Sequence, residues 1–455
     1  MRTLRISIAG TIILALVAGS AGVVSAQSDD THADRVGGAL VYGDPAGRFT
    51  LPFAGDWTAV ETDGSYGHFQ LAEPAIDAYV VTVESDDLDV VAEAALAQIG
   101  HDRSLLSPLA TFTQGRWTFD AYALDPERGV TMAARQVDDA TVAFLVEGGL
   151  GVTTAPPAEA FLTIDGLALM SLDDYREFQP PPAPTSTDAI DDLDRIAFYS
   201  DGQKLVGRLV LPEGEGPFPA VVMVHGAGPV TRHDGEFDAP ALQAAGIATF
   251  SYDKRGAGDS EGLFVGTEDM TGSPLPSEWR LPQLADDAVV AAAFLQGLEE
   301  IDADRIGLFG YSQAGWVIPQ VAAGSDIPAY AVTIIGPAVS VGEVNYHQEL
   351  TGKPRVMEPL PESERDDMSE RLAAFDGTPG FDPRGSIEQM SIPGLWILGD
   401  RDGWIPARET RLFLESMVSE HDKDFTIVYD PEGGHQGKPS YLDEAVDWIL
   451  AHLDA

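Results

Sequence analysis

The strongest constraint on the fold is an alternation of apolar runs and helical patterns in residues 190–455. The apolar runs are AVVMVHG, IATFSYD, RIGLFGY, AYAVTIIG, GLWILGD and FTIVYD. Strands that are apolar almost throughout are buried on both faces, which is typical of parallel sheets with helices packed on each side. We therefore predict an α/β fold with a mostly parallel sheet, in which KLVGRLVLP forms an outer antiparallel strand.

Two strand ends carry small residues that leave a serine and backbone N–H groups accessible. Parallel strands end at one edge of a sheet, and ligand sites form there. Ser312 follows RIGLF, and Gly310 and Ala314 on either side of it would allow a sharp turn between a strand and a helix. Residues 225–228, HGAG, follow AVVMV and would leave backbone N–H groups open to an oxyanion. A serine is also a common helix N-cap, so this motif alone does not show whether Ser312 is a nucleophile.

Two other strand ends carry acidic residues and a histidine. GLWIL leads into Asp400 and Asp402, and FTIVYD leads into PEGGHQG, which places His435 on a glycine-rich loop. Together with the serine, these residues could supply a nucleophile, an acid that orients a histidine, and a base. Asp400 and Asp402 compete for the acid role. His421 is a weaker candidate for the base than His435. It lies on a charged helix end, SEHDKD, where exposure to solvent is enough to explain a histidine.

The motifs taken together resemble the α/β-hydrolase superfamily, and within it bacterial esterases of the dienelactone-hydrolase and prolyl-oligopeptidase-like groups. The matching motifs are VHGAGP, SYDKRGAGDSEG, GYSQAGW, LGDRDGWIP and GGHQG. The resemblance implies an α/β-hydrolase fold with Ser312 as the nucleophile, His435 as the base and Asp402 as the acid. It also implies that the backbone N–H groups of Ala227 and Gln313 form the oxyanion hole.

The sequence departs from the usual hydrolase pattern at one position and implies neither a nucleotide nor a metal. Ala314 stands where the turn around the nucleophile usually has glycine. The glycines of KRGAGDSEG follow a strand, but their spacing is not G-x-G-x-x-G, and the resemblance gives them a structural turn. There is no P-loop and no H-E-x-x-H, and the absence of cysteine excludes thiolate chemistry and Cys-ligated zinc. We therefore predict no cofactor.

The charge of the chain limits its partners. The sequence has 73 acidic and 27 basic residues and a net charge of −46, which would repel a nucleic-acid backbone. Such acidity resembles that of proteins adapted to saline surroundings, and it also suits an acidic secreted protein kept soluble by its charge. The sequence leaves both explanations open.

Four segments organise the chain. Residues 1–26 have two arginines, then an apolar run, and end in VSA, as in a secretory signal. The mature protein should therefore be extracellular or periplasmic, without a stable membrane anchor.

The pattern of residues 35–176 predicts an α+β domain with an antiparallel sheet and helices over DLDVVAEAALAQIG and PPAEAFLTIDGLALM. Residues 177–189 form a proline-rich linker before the hydrolase domain, residues 190–455. Residues 341–390 are a candidate lid, with an insertion that has no role in substrate binding as the alternative.

Our interpretation of the sequence is a secreted serine hydrolase that cleaves small-molecule carboxylic esters through an acyl-enzyme intermediate. A serine peptidase or an acyltransferase could use the same triad, and a non-catalytic binding protein on a hydrolase fold is a further alternative. The sequence leaves open the acyl and alcohol specificity, the role of the N-terminal domain and the oligomeric state.

Overall fold

The computed structural model divides the chain into two compact units, Met1–Thr111 with Phe119–Phe178, and Phe112–Thr118 with Gln179–Ala455. The division after Phe178 falls inside the predicted linker. The structure describes residues 33–453, apart from 37–38, 54–55, 64–65, 73–74, 115–116, 150–162, 165, 169–171, 179, 181, 235–237, 265–276, 353–358 and 362–367. The predicted signal segment, residues 1–26, lies outside the described residues. Within the described part, no helix is both long and apolar enough to cross a membrane.

The first unit is built mainly from antiparallel strands. Its described elements are β1 (Ala33–Val36), β2 (Ala39–Gly43), β3 (Thr50–Phe53), β4 (Thr58–Asp63), β5 (Tyr66–Leu71), β6 (Ile76–Val83), α1 (Leu88–Gln98), β7 (Ser107–Gln114), β8 (Trp117–Ala123), β9 (Arg128–Val137), β10 (Ala140–Gly149) and α2 (Leu172–Glu177). They form a three-stranded sheet in the order β1-β2-β3 and a seven-stranded sheet in the order β4-β5-β6-β10-β9-β8-β7. The end of β7 and the start of β8 belong to the segment Phe112–Thr118, which is grouped with the second unit.

Helix α1 packs on the larger sheet of this unit. The Asp87 side chain accepts hydrogen bonds from the backbone N–H groups of Asp89 and Val90 and so caps the first turn. Val91 and Leu96 are fully buried in the same apolar cluster as residues of β6, β9 and β10. The antiparallel sheet and the helix over DLDVVAEAALAQIG are as predicted, whereas the second predicted helix falls largely outside the described residues.

The second unit carries the longer, more apolar strands. Its described elements are β11 (Ile196–Ser200), β12 (Gln203–Val210), β13 (Phe218–Val224), α3 (Ala239–Ala244), β14 (Ala248–Tyr252), α4 (Ser277–Gln296), β15 (Ile301–Tyr311), α5 (Ala314–Gly324), β16 (Tyr330–Ile334), α6 (Val341–Thr351), α7 (Arg384–Gln389), β17 (Gly394–Gly399), α8 (Ala407–His421), β18 (Phe425–Asp430) and α9 (Pro439–Leu453). The strands form one sheet in the order β11-β12-β14-β13-β15-β16-β17-β18. Strand β12 is antiparallel to both of its neighbours, and the strands from β14 to β18 run parallel.

Helices cover both faces of this sheet. In β13, Ala220, Val222 and Val224 pack into a cluster with α4, α5, α7 and α8, whereas Val221 and Met223 pack into a second cluster with α3 and α9. Successive side chains of a strand point to opposite faces, so a strand between two helical layers must be apolar throughout. The predicted α/β class is confirmed, and the continuous apolar runs are its cause.

The parallel strands bring four loops to one edge of the sheet. Strands β13, β15, β17 and β18 run in one direction, so the segments that follow them begin at the same edge. These segments contain the HGAG sequence, Ser312, Asp402 and His435. The topology therefore determines where the candidate site lies.

Candidate active site

Ser312 occupies the sharp turn between β15 and α5. Its φ angle is +54°, in the left-handed region that a residue other than glycine rarely adopts. Its backbone N–H donates to the carbonyl oxygen of Ile334 at 3.0 Å, which ties the turn to the neighbouring strand β16. The strained turn places the serine side chain beyond the end of the strand, as a nucleophile elbow does.

Small residues around Ser312 make the turn possible. A Cβ atom at Gly310 would lie 2.6 Å from the Val224 carbonyl oxygen, and one at Gly315 would lie 2.7 Å from the neighbouring backbone. Real Cβ atoms do not come so close to backbone, so both positions require glycine. The Cβ of Ala314 faces Gly310, which has no side chain. Alanine therefore fits where the usual hydrolase turn has glycine.

The structure brings the serine, histidine and aspartate of the sequence analysis together. Ser312 Oγ lies 3.0 Å from His435 Nε2, and His435 Nδ1 lies 2.8 Å from Asp402 Oδ2. The other carboxylate oxygen, Oδ1, accepts hydrogen bonds from the backbone N–H groups of Trp404 at 2.7 Å and Ile405 at 3.0 Å. The Asp402 side chain is fully buried. With Nδ1–H donated to this fixed carboxylate, His435 Nε2 is free to accept the serine proton.

The two competing residues lie in other surroundings. Asp400 accepts a hydrogen bond from the hydroxyl of Tyr429. His421 is exposed at the last residue of α8. The contact with His435 Nδ1 therefore favours Asp402 as the acid, and the contact with Ser312 Oγ favours His435 as the base.

A cavity of about 280 Å³ lies over Ser312. It is lined by Gly226, Ala227, Ser312, Gln313, Trp316, Pro337, Val344, Gln348, Trp404, Ile405 and His435. The two residues proposed to donate oxyanion N–H groups, Ala227 and Gln313, are thus beside the nucleophile. Val344 and Gln348 come from α6, within the candidate lid, so part of that segment forms the cavity wall. Residues 353–358 and 362–367 of the segment lie outside the described residues, and the lid stays a prediction.

Two buried histidines support the loops around the site. His225 Nε2 donates to the Tyr252 carbonyl oxygen at 2.6 Å, and burial, with the nearby Lys254, lowers the pKa of His225 to about 3. His347 on α6 makes a 3.1 Å hydrogen bond through Nε2 to the Asp402 carbonyl oxygen, and burial also lowers the pKa of His347. His225 is therefore a neutral hydrogen-bond donor that ties the loop after β13 to β14.

The glycines of KRGAGDSEG form a turn held by a buried aspartate. Gly256 has a φ of +72°, and a Cβ there would lie 1.9 Å from the Phe264 nitrogen. Asp253 is fully buried and accepts hydrogen bonds from the backbone N–H groups of Arg232 and Asp259. These glycines therefore have the structural role that the resemblance implies. In the described parts of the chain, no group of His, Asp and Glu side chains could hold a metal ion.

One polar residue that contacts the segments of the proposed oxyanion donors was not predicted from the sequence. Lys254 follows β14 within SYDKRGAGDSEG, and its Nζ donates to the Gly226 carbonyl oxygen at 2.8 Å and to Gln313 Oε1 at 2.6 Å. A weak signal was present, because Lys254 is one of only five lysines in the chain and directly follows an apolar strand. Its partners, 28 and 59 residues away, could not be known from the sequence.

Known proteins that resemble this chain are hydrolases. Residues 201–359 match the family described as X-Pro dipeptidyl-peptidase (S15 family). Esterase EstD of Thermotoga maritima is 28% identical over 254 residues, which are 50% of this chain and 57% of EstD. Esterase FrsA of an Enterobacter species is 26% identical over 267 residues, 55% of this chain and 57% of FrsA. The chain has the α/β-hydrolase fold. The resemblance to α/β-hydrolases that the sequence predicts is thereby confirmed, and the relatives named as esterases support the predicted serine-hydrolase class.

The similarity to these relatives is partial. This α/β-hydrolase aligns with 57% of the length of each of the two esterases. The solved structure of an esterase of Pyrococcus furiosus aligns with 60% of this chain, and the alignment includes 96% of the esterase chain. The sequence identity is 16% and the TM-score is 0.42.

Proposed function

We propose that the protein is a secreted serine esterase that hydrolyses carboxylic esters through an acyl-enzyme intermediate. The observation that carries this proposal is the hydrogen-bonded series from Ser312 Oγ through His435 to the buried carboxylate of Asp402, at the wall of a cavity. The relatives named as esterases support the same reaction.

The proposed mechanism has two halves. His435 Nε2 removes the proton from Ser312 Oγ as that oxygen attacks the ester carbonyl carbon, and the backbone N–H groups of Ala227 and Gln313 bind the oxyanion. His435 then gives the proton to the departing alcohol oxygen, which leaves an acyl group on the serine. In the second half, water attacks the acyl group with His435 again as base; His435 then returns the proton to Ser312 Oγ as the bond to the acyl group breaks and the acid product leaves. Asp402 holds the imidazole in the required tautomer and stabilises its protonated form.

The cavity favours small apolar esters over charged substrates. Trp316, Pro337, Val344 and Trp404 give it apolar walls, and none of the described lining residues is acidic. The match to a dipeptidyl-peptidase family makes a peptidase the second candidate. Such an enzyme must bind the protonated amino terminus of a peptide, for which a carboxylate is the fitting partner. The cavity therefore supports ester substrates better.

A panel of chromogenic substrates tests the proposed reaction. We expect the highest kcat/KM for p-nitrophenyl esters of short or medium acyl chains, because the cavity of about 280 Å³ suits a small apolar group. The panel should include Xaa-Pro p-nitroanilides and emulsified long-chain triglycerides. Anilide cleavage without ester cleavage would favour the peptidase, and a preference for triglycerides would contradict the proposed substrate class.

Export is a separate part of the proposal and has its own test. The segment that ends in VSA supports cleavage after Ala26. We expect amino-terminal sequencing of the protein from periplasm or culture medium to begin at Gln27. Protein that stays in the cytoplasm and keeps residues 1–26 would contradict export without affecting the proposed reaction.

A further inference from the structure

Lys254 is buried behind the two segments that carry the proposed oxyanion donors. Its residue exposure is 3%. Besides its bonds to Gly226 O at 2.8 Å and Gln313 Oε1 at 2.6 Å, its Nζ lies 3.4 Å from the Gly228 carbonyl oxygen. All three acceptors are neutral. Burial, with the nearby Arg280, holds the pKa of Lys254 well below its usual value.

The bond to Gly226 acts directly on one oxyanion donor. The Gly226 carbonyl and the Ala227 N–H belong to one planar peptide unit, and the described peptide bonds here are trans. In a trans unit the C=O and N–H point in opposite directions. The hydrogen bond from Lys254 to the Gly226 carbonyl oxygen therefore fixes the direction of the Ala227 N–H. It also polarises the peptide unit, so that this N–H becomes a stronger donor.

The bond to Gln313 acts on the other donor. Gln313 is 2% exposed, and its Oε1 accepts from Lys254, whereas its Nε2 is buried and has no hydrogen-bond partner among the residues that the structure describes. The bond to Lys254 is therefore the polar contact that holds this side chain. The backbone N–H of the same residue is the second proposed donor, so one amine joins the loop after β13 to the N-cap residue of α5.

Packing alone does not account for a lysine at this position. Burying an amine among neutral acceptors has an unfavourable desolvation energy. Methionine has a similar volume and would fill the space without that penalty, as apolar replacements of buried charged groups often do. A benefit in catalysis does account for the lysine, because oxyanion stabilisation depends on donors that are held in place before the reaction.

We propose that Lys254 is a positioning residue that holds the Ala227 and Gln313 N–H groups in place around the oxyanion formed at Ser312. The inference rests on the proposed function. Because the oxyanion develops in the transition state, Lys254 contributes to kcat more than to KM. A misplacement of about 1 Å costs about 10²-fold in rate, which sets the expected size of the effect.

The test compares Lys254→Met with a matched lysine variant, Lys423→Met. Lys423 is half-buried and also donates to a backbone carbonyl, that of Met390 at 2.7 Å, but neither residue lines the cavity. We expect Lys254→Met to lower kcat for p-nitrophenyl esters by about 10²-fold with KM nearly unchanged. Its affinity for a trifluoromethyl ketone, which forms a tetrahedral adduct on the serine, should fall by a similar factor. Lys423→Met should keep both values.

Several outcomes would overturn the inference. The inference is contradicted if a folded Lys254→Met variant keeps the kcat of the unaltered enzyme, whether its KM is unchanged or raised. If Lys254→Met does not fold, Gln313→Met is the second variant, because it removes the side-chain acceptor of Lys254 and keeps the backbone N–H of residue 313. This variant should lower both kcat and the affinity for the ketone. Unchanged values of both would contradict the inference. Full turnover by Ser312→Ala would instead overturn the proposed function. An inactive Ser312→Ala beside a fully active Lys254→Met would refute the inference alone.

Discussion

Replacement of Ser312 by alanine is expected to lower kcat for p-nitrophenyl esters by about five to six orders of magnitude and to leave the fold intact. The Oγ atom is the proposed nucleophile, and its hydrogen-bond partner is His435. The turn depends on Gly310 and Gly315, which have no room for a side chain, and not on the hydroxyl. Alanine and serine both carry a Cβ, so they adopt the φ of +54° with similar strain. Steady-state kinetics and a melting curve of the purified variant provide the measurement.

Ser416→Ala is the control for this prediction. Ser416 Oγ donates to the Phe413 carbonyl oxygen within α8, and the residue does not line the cavity. Its replacement should leave kcat unchanged. A folded Ser312→Ala variant with full turnover would mean that the nucleophile lies elsewhere in the chain.

The strands that the sequence predicts best are those buried on both faces. Strands β13 to β17 are nearly continuous apolar runs because helices pack on each side of them. Strand β11, at the edge of that sheet, alternates buried with more exposed residues over only five positions and was not predicted. Strand β4 has no clear strand pattern in the sequence for a related reason, since most of its described side chains are exposed and it includes Glu61. Both strands lie at the edge of a sheet and leave side chains exposed, so neither contains a long apolar run.

The candidate triad could be predicted because reactive residue types follow apolar strands. Choosing between Asp400 and Asp402 from the residues alone was not possible, since both follow β17 within three residues. The structure separates them by the direction of their side chains, which depends on the local turn and on Tyr429. Sequence position therefore locates the loop, and tertiary packing selects the residue.

The walls of the cavity could not be predicted. Trp316 lies in the first turn of α5 among apolar residues and looks like an ordinary core residue in the sequence. Val344 and Gln348 lie on α6, one helical turn apart, and their meeting with Trp404 depends on how that helix packs. Substrate selectivity is therefore the part of the function that is hardest to predict from the sequence.

Asp402→Asn is expected to lower kcat by about 10⁴-fold and to leave KM little changed. The reason lies in the backbone around the side chain. The N–H groups of Trp404 and Ile405 both donate to Oδ1, so they require an oxygen at that position. An asparagine amide would keep its oxygen there and turn its NH₂ group toward His435 Nδ1. That ring nitrogen would then accept a hydrogen bond, the proton would move to Nε2, and Nε2 could no longer take the proton of Ser312.

Asp400→Asn is the matched variant, because it makes the same chemical change two residues away in the same loop. Its side chain can still accept the hydrogen bond from the Tyr429 hydroxyl. We therefore expect kcat within a few-fold of the unaltered enzyme, whereas both variants should melt as single folded species. The comparison is made with one ester substrate at one pH, at which the unaltered enzyme is fully active. A large loss in Asp400→Asn with normal turnover in Asp402→Asn would reverse the assignment of the acid. Equal and small losses in both would mean that His435 acts without an orienting carboxylate, which the buried contact of 2.8 Å argues against.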